Sequence, residues 1–194
     1  MIAHVAGVNR ARRQRPVPFL AGRRVILRPL TPADANRNYL RWINDQDVVE
    51  HLETGFFPTT LRSLRQYVAS RLGRADCLFL AIVNRKTRRH VGNVKLEPIN
   101  WIHRTATVGI MIGDKRAWGK GFASETLRLV SDHAFQRLNL RKVSAGTRAV
   151  NRGALRAFLN AGFMVEARKR AEMLIDGRPC DVLQLAKFAT RNGR

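Results

Sequence analysis

Cysteine is nearly absent from this chain, with Cys77 and Cys180 the only two in 194 residues. Two thiols cannot build the disulfide framework on which small secreted scaffolds depend, and both are expected to stay reduced. Long hydrophobic runs are missing too. None approaches the ~20 residues needed to span a bilayer, so no membrane partner is expected. The stretch from Met1 to Gly22 lacks the apolar segment of roughly 7–15 residues that marks a secretory signal, and the reading is a soluble cytoplasmic protein. Acidic residues are scarce as well: Asp and Glu total 14 against 36 Lys and Arg, a net charge of +22. Residues 1–24 hold no acid but carry Arg10, Arg12, Arg13, Arg15, Arg23 and Arg24. Such a field attracts acidic small molecules and RNA alike, so charge by itself does not choose a partner.

What is present fits one compact domain, 45% hydrophobic and 26% charged, with no internal repeat. Residues 1–22 read as a basic flexible tail and 23–190 as a single domain. A strand is expected over 23–30, then a helix from Thr31-Pro32 to about Asp45. A second helix begins near Thr59 or Thr60, carries Leu61, Leu64, Tyr67, Val68 and Leu72 at helical spacing, and closes at Gly73. Strands follow at 77–84, 91–96 and 105–112, the last two as an antiparallel pair. A helix over 122–137, a strand over 142–148 and a helix from Asn151 come next. Strands near 163–169 and 181–187 flank an Asp176-Gly177 turn. Most pairings are expected to be antiparallel.

The densest information lies in Asp114 to Ser124, DKRAWGKGFAS, between the strand ending at Ile112 and the helix starting at Phe122. Arg116, Gly119 and Gly121 are spaced R-x-x-G-x-G. Glycines let the backbone approach an anion closely, and the first N–H groups of the helix lack partners of their own. Lys120 and Arg116 add positive charge. The stretch reads as a cradle for a pyrophosphate, although an ordinary strand-to-helix turn would use the same spacing. A Walker-type loop is excluded because no Ser or Thr follows Lys120, and a dinucleotide fingerprint because the third glycine is missing.

Arg116, Gly119 and Gly121, followed by Asn151 to Phe163 (NRGALRAFLNAGF) after one helix and one strand, resemble the two ordered signatures of the GNAT superfamily of acetyl-CoA-dependent N-acetyltransferases. The resemblance covers about Arg23 to Lys187. It implies an α+β, three-layer α/β/α fold with a mixed, mostly antiparallel sheet of about six to seven strands, helices on both faces, and a splayed parallel strand pair holding acetyl-CoA. The backbone of Ile110, Met111 and Ile112 would pair with the pantetheine arm. Trp118, Gly119, Lys120, Gly121, Phe122 and Ala123, with Arg116, would hold the pyrophosphate. Asn151 would bond the arm from the next helix, with Phe158 alongside. The segment Tyr39 to Pro58 looks like the Rim-type branch, which contains ribosomal-protein and amino-sugar acetyltransferases.

Three groups that relatives use in catalysis are replaced here: the general-base Glu by Gly146, the acidic Tyr by Phe158, and a Ser by Ala154. A substitute is expected on the hairpin facing the cleft, Glu97 first and His103 second. The loop from His51 to Pro58 is expected to cap the acceptor pocket, with Glu53, Phe56, Phe57 and Asn100 lining it, and no metal is expected. A lysine-like amine of pKa ~10.4 costs about 4.6 kcal/mol to deprotonate at pH 7, an α-amino group of pKa ~8 only about 1.4. The expected acceptor is therefore a small low-pKa amine such as an amino sugar, with a protein N-terminus as the alternative. Acetyl-CoA and that amine are the expected partners. A homodimer and RNA or ribosome contact through the basic surface are further expectations, and a non-catalytic RNA binder on the same fold is the alternative from another class.

Overall fold

The computed structural model describes residues 17–190; the basic stretch 1–16, most of the expected tail, lies outside the described residues. One sheet is built from β1 (Leu20–Ala21), β2 (Val25–Pro29), β3 (Leu78–Asn84), β4 (His90–Asn100), β5 (Thr105–Ile112), β6 (Lys142–Arg148), β7 (Met164–Ile175) and β8 (Arg178–Phe188). The helices among the described residues are α1 (Arg37–Ile43), α2 (Gln46–Val49), α3 (Leu61–Ala69), α4 (Phe122–Gln136) and α5 (Arg152–Asn160). Strand order is β1-β2-β3-β4-β5-β6-β8-β7, and only β5 and β6 run parallel.

Strand β3 is apolar from Leu78 to Val83 because both of its faces are covered. On β3, Leu80 and Ile82 join the cluster under α4 and α5, with Phe122, Leu127, Val130 and Phe158. Phe79 and Ala81 point the other way, against Tyr39 of α1 and Leu64 and Val68 of α3. Burying each such large side chain stabilises the fold by about 1.5–3 kcal/mol. Leu64 and Val68 are four apart, one turn of helix, which is why α3 presents them on one face.

Several expected boundaries move for identifiable reasons. The single helix expected from Thr31 to Asp45 is broken. Pro32–Asp34 makes one 3-10 turn, and Asn36 then caps α1 afresh by accepting from the Asn38 amide at 2.9 Å. The expected tail boundary at residue 22 falls inside the sheet, since Leu20 and Ala21 pair with Leu27 and Ile26. Strand β4 runs on through Pro98 to Asn100: Leu96 faces Val108 and Ile99 faces Ala106, so a bulge absorbs one extra residue and takes up the proline that cannot donate to the ladder. The sheet has eight strands rather than six or seven, and the last hairpin is longer than expected.

The parallel pair is short. Thr105, Ala106 and Thr107 face Lys142, Val143 and Ser144, and there the pairing stops. Val108–Ile112 stays with β4 while Ala145–Arg148 stays with β8. The sheet is split open along that line, leaving two strand edges facing a gap.

A buried polar cluster supports one wall of this gap. Asp34, 6% exposed, accepts from both guanidinium nitrogens of Arg28 at 2.7 and 2.6 Å and from Thr31. His90 Nδ1 lies 3.9 Å from Asp34, and His90 Nε2 is 2.9 Å from the Asn93 side-chain oxygen. Burial lowers the His90 pKa below its ordinary 6.5. Burial pushes the Asp34 carboxyl up, but the bonds from Arg28 and Thr31 outweigh it and leave it below its ordinary 3.8. In both cases the unfolded chain binds the proton more readily, so stability falls as pH falls. We expect the unfolding midpoint to be level above neutrality, to decline below about pH 6.5 as His90 is forced to charge, and to drop again as pH falls through the Asp34 range. Denaturant melts across pH should show His90→Gln weakening the first decline, of which His133, also lowered by burial, keeps a part, and retaining the second.

Candidate active site

Two cavities open on the split in the sheet. The first, about 820 Å3, lies on the face covered by α1 and α3 and is lined by Tyr39, Tyr67, Asn93 and Lys95, by β5 from Thr107 to Met111, and by β6 from Gly146 to Arg148. Lys169 and Glu172 reach it from the last hairpin. The second, about 560 Å3, lies between β5, the turn after it, and the first turns of α4 and α5. His51, Leu52, Ile110 and Met111 line both. The two spaces therefore meet at the free edge of β5, beneath the segment that follows α2.

The second cavity collects most of the expected cofactor residues: Ile110, Met111, Ile112, Trp118, Gly119, Gly121, Phe122, Ala123, Asn151 and Phe158 all line it. Gly119 and Gly121 sit at φ 70° and 74°, where an L side chain is strained, and a Cβ on Gly119 would point into open space. Gly121 is the N-cap of α4, so the first amides of that helix face the cavity with no intrahelical acceptor. Trp118 pins the turn to the sheet by donating from Nε1 to the Ile112 carbonyl at 2.7 Å. Asn151 caps α5, its side-chain oxygen accepting from Ala154 N at 3.0 Å. Phe158 is buried edge-on to Phe163, centroids 5.3 Å apart, and so serves the core as well as the wall. These features fit a pyrophosphate with a polar arm lying along β5. Arg116 and Lys120 do not line this cavity. The Arg116 guanidinium grips Asp114, whose carboxylate holds it at 2.9 Å twice over.

The first cavity takes up fewer of the expected residues. Glu53 lines it. Phe56 and Phe57 do not; they are 74% and 84% exposed in the loop before α3. Asn100 and His103 lie at the β4–β5 turn, on the paired end of the strands, where Asn100 accepts from the His103 amide at 2.8 Å. They are placed away from the split by the strand direction itself. Glu97 also misses the lining. Its carboxylate is held by Lys95 at 2.8 Å, Arg71 at 2.9 Å and Arg74 at 3.3 Å. Burial raises its pKa, but those cations outweigh the burial and leave it lowered, which makes it a weak proton acceptor. The expectation of Glu97 or His103 as base is thus corrected by position for both and by basicity for Glu97.

His51 belongs to the loop expected to cap the acceptor pocket, but the sequence assigned it no chemical role. It stands where the cavities meet, its Nδ1 buried without a hydrogen-bond partner and its Nε2 3.8 Å from the Glu50 carboxylate. No local motif marks it, and only the fold of α2 over the split strands brings it there. At the usual general-base position, Gly146 has room for a side chain, since a Cβ would meet nothing closer than 3.7 Å.

A mixed sheet split between two parallel strands, with a glycine cradle at the mouth of the split and a second cavity across it, defines an acyl-CoA-dependent transferase. The acetyltransferase (GNAT) domain profile matches residues 24–164. Probable N-acetyltransferase YjcK of Bacillus subtilis (strain 168) is 30% identical over 167 residues, 82% of this chain and 91% of that protein. Spermidine N(1)-acetyltransferase of Vibrio cholerae is 33% identical over 104 residues, 54% of this chain and 60% of that one. A crystal structure of spermidine N-acetyltransferase from Vibrio cholerae in complex with CoA and spermine superposes with a TM-score of 0.78 at 24% identity, over 87% of this chain and 97% of that one; at this identity the likeness speaks for the fold. The chain belongs to the GNAT family and is an acetyl-CoA-dependent N-acetyltransferase. The Rim-type branch is not carried by these relatives, and neither RNA or ribosome contact nor a homodimer gains support from them. No helix among the described residues is long and apolar enough to cross a membrane.

Proposed function

We propose that this enzyme acetylates the primary amine of a small molecule held in the first cavity, with His51 receiving the amine's proton. The observation that carries this reading is the meeting of the two cavities at Ile110 and Met111 with His51 in both walls. Acetyl-CoA bound in the second cavity supplies an acetyl thioester. The amides of Phe122, Ala123 and Ser124 and the backbone edge of β5 bind and orient it there. Gly119 and Gly121 let the chain come close. An amine entering from the first cavity reaches the same point from the opposite side of the sheet, which suits direct attack without a covalent enzyme intermediate. Glu53 stands in that cavity to attract an ammonium group before it loses its proton.

A cavity of this size, walled by α1, α3 and the last hairpin, favours a small acceptor over a protein N-terminus. Among small amines, the names of the Vibrio cholerae relative and its structure raise the polyamines. The wall gives a polycation no net attraction: Lys95 and Lys169 are matched by Glu97 and Glu172, which leaves Arg148 against Glu53. An amine of low pKa, such as an amino sugar, remains the better match.

General-base assistance contributes about 10²–10⁴-fold. We expect His51→Gln, which keeps the side chain's bulk, to lower kcat by about 100-fold or more and to change acetyl-CoA affinity, read by calorimetry, far less than that. An unchanged kcat would remove His51 from the chemistry.

A further inference from the structure

Among the described residues, Arg148 is a buried charge with no counter-ion. It ends β6, is 7% exposed, and lines the first cavity. Its Nη1 donates to the Glu50 carbonyl, while Nε is buried with no hydrogen-bond partner. Among the described residues no carboxylate lies within ion-pair distance of it, and Nη2 makes no hydrogen bond. The other cations of this cavity are matched: Lys95 by Glu97 at 2.8 Å and Lys169 by Glu172 at 2.7 Å. An unpaired buried guanidinium is strongly unfavourable unless an anion completes it.

The orientation indicates which anion. Nε and Nη2 form the edge of the guanidinium that grips a carboxylate with two parallel bonds. This chain uses that edge twice elsewhere, Arg74 on Asp76 at 2.8 and 2.7 Å and Arg116 on Asp114 at 2.9 Å for both bonds. At Arg148 the opposite nitrogen is tied to the backbone, Nη2 is the accessible member of the edge, and a two-bond grip requires the packing over Nε to give way. Two residues earlier on the same face of β6, Gly146 offers no side chain, which leaves room beside it. Across the cavity, Glu53 is a carboxylate without an ion pair among the described residues.

We infer that the acceptor is a primary amine that also bears an anionic group, a carboxylate or a phosphate, which Arg148 reads while Glu53 receives the ammonium end. The inference rests on the acetyl-transfer reading above and narrows its substrate class. Arg148 here decides specificity and takes no part in proton transfer. It favours amino acids and phosphorylated amino sugars over neutral amino sugars, and it repels polyamines.

The test is CoA release from acetyl-CoA with matched acceptors: glucosamine against glucosamine 6-phosphate, free amino acids against their amides, and spermidine. The wild type should show kcat/KM at least about tenfold higher for the anionic member of one pair, and the pair that responds tells phosphate from carboxylate. Arg148→Met should raise KM for that acceptor by about 100-fold and bring the anionic-to-neutral preference close to one, any effect of losing the bond to the Glu50 carbonyl falling on both acceptors alike. Arg148→Lys, which keeps charge but loses the paired edge, should recover only part. Should the variants fail to fold, the wild-type ranking decides. Preference for spermidine or for the uncharged members overturns the inference and leaves acetyl transfer to small amines standing. Turnover of none of these amines by an enzyme that binds acetyl-CoA overturns both.

Discussion

Gly121→Glu is expected to weaken acetyl-CoA binding by about 100-fold or more with the fold retained. Two effects combine. Gly121 holds φ at 74°, a conformation that costs an L residue about 1–2 kcal/mol, and the N-cap it forms aims the first amides of α4 into the second cavity. The larger effect is charge. A carboxylate about 4 Å from a phosphate oxygen is opposed by roughly 4 kcal/mol at the dielectric typical of partly exposed sites, and each 1.4 kcal/mol is tenfold in affinity. The fold should survive, because the nearest atom to a new Cβ is a nitrogen of the flexible Arg24 side chain at 3.4 Å, itself a partner for the new carboxylate. Calorimetry with acetyl-CoA measures the loss. Gly121→Ala separates the two effects, since it carries the backbone strain without the charge and should lose much less. Equal losses in both variants would mean that backbone geometry alone governs the cradle.

Asp34→Ala should give the largest loss of stability of any single change outside the apolar core. The carboxylate is almost fully buried and is held by both Arg28 nitrogens, the Thr31 amide and the Thr31 hydroxyl. Removing one member of such a pair leaves the other charged and unpaired, which costs about 3–5 kcal/mol. For a domain of this size that is roughly 10–15 °C in Tm. The consequence should reach the active site, since Asp34 lies against His90 and His90 holds Asn93 in the wall of the first cavity. Asp34→Leu combined with Arg28→Met should recover much of the loss, because a matched apolar pair abandons no charge. Thermal and denaturant melts of the single and double variants decide this; a single variant within about 1 kcal/mol of wild type would place the pair among weak surface bridges.

The glycine turn and the capping asparagine that line the second cavity were legible because they are local. Arg116 to Ala123 form one strand-to-helix turn in which glycines must stand where the backbone takes positive φ, and Asn151 caps a helix one turn before Ala154. Chain-local constraints of this kind leave a spacing in the sequence. So do alternating burial on β3 and the one-turn repeat of Leu64 and Val68. The acceptor half was misplaced because it is assembled from distant segments. Glu97, His103 and Asn100 were attributed to the cleft by their nearness in sequence to β5. The hairpin's direction carries His103 and Asn100 to the closed end, and the ion cluster with Arg71, Arg74 and Lys95 takes Glu97. His51 and Arg148 lie 97 residues apart; the loop holding His51 was expected over the acceptor pocket, but nothing local gives either side chain a chemical role.

The ordered signatures by themselves pointed to the GNAT fold, and the glycine spacing to a turn at positive φ before α4, since each depends on residue type or on contacts a few positions apart. Only the tertiary structure decided where β5 and β6 part, that His51 stands between the two cavities, and that Arg148 is buried without a counter-ion. Those facts depend on which strand edges find partners and which charges meet across the sheet, and packing of remote segments sets both.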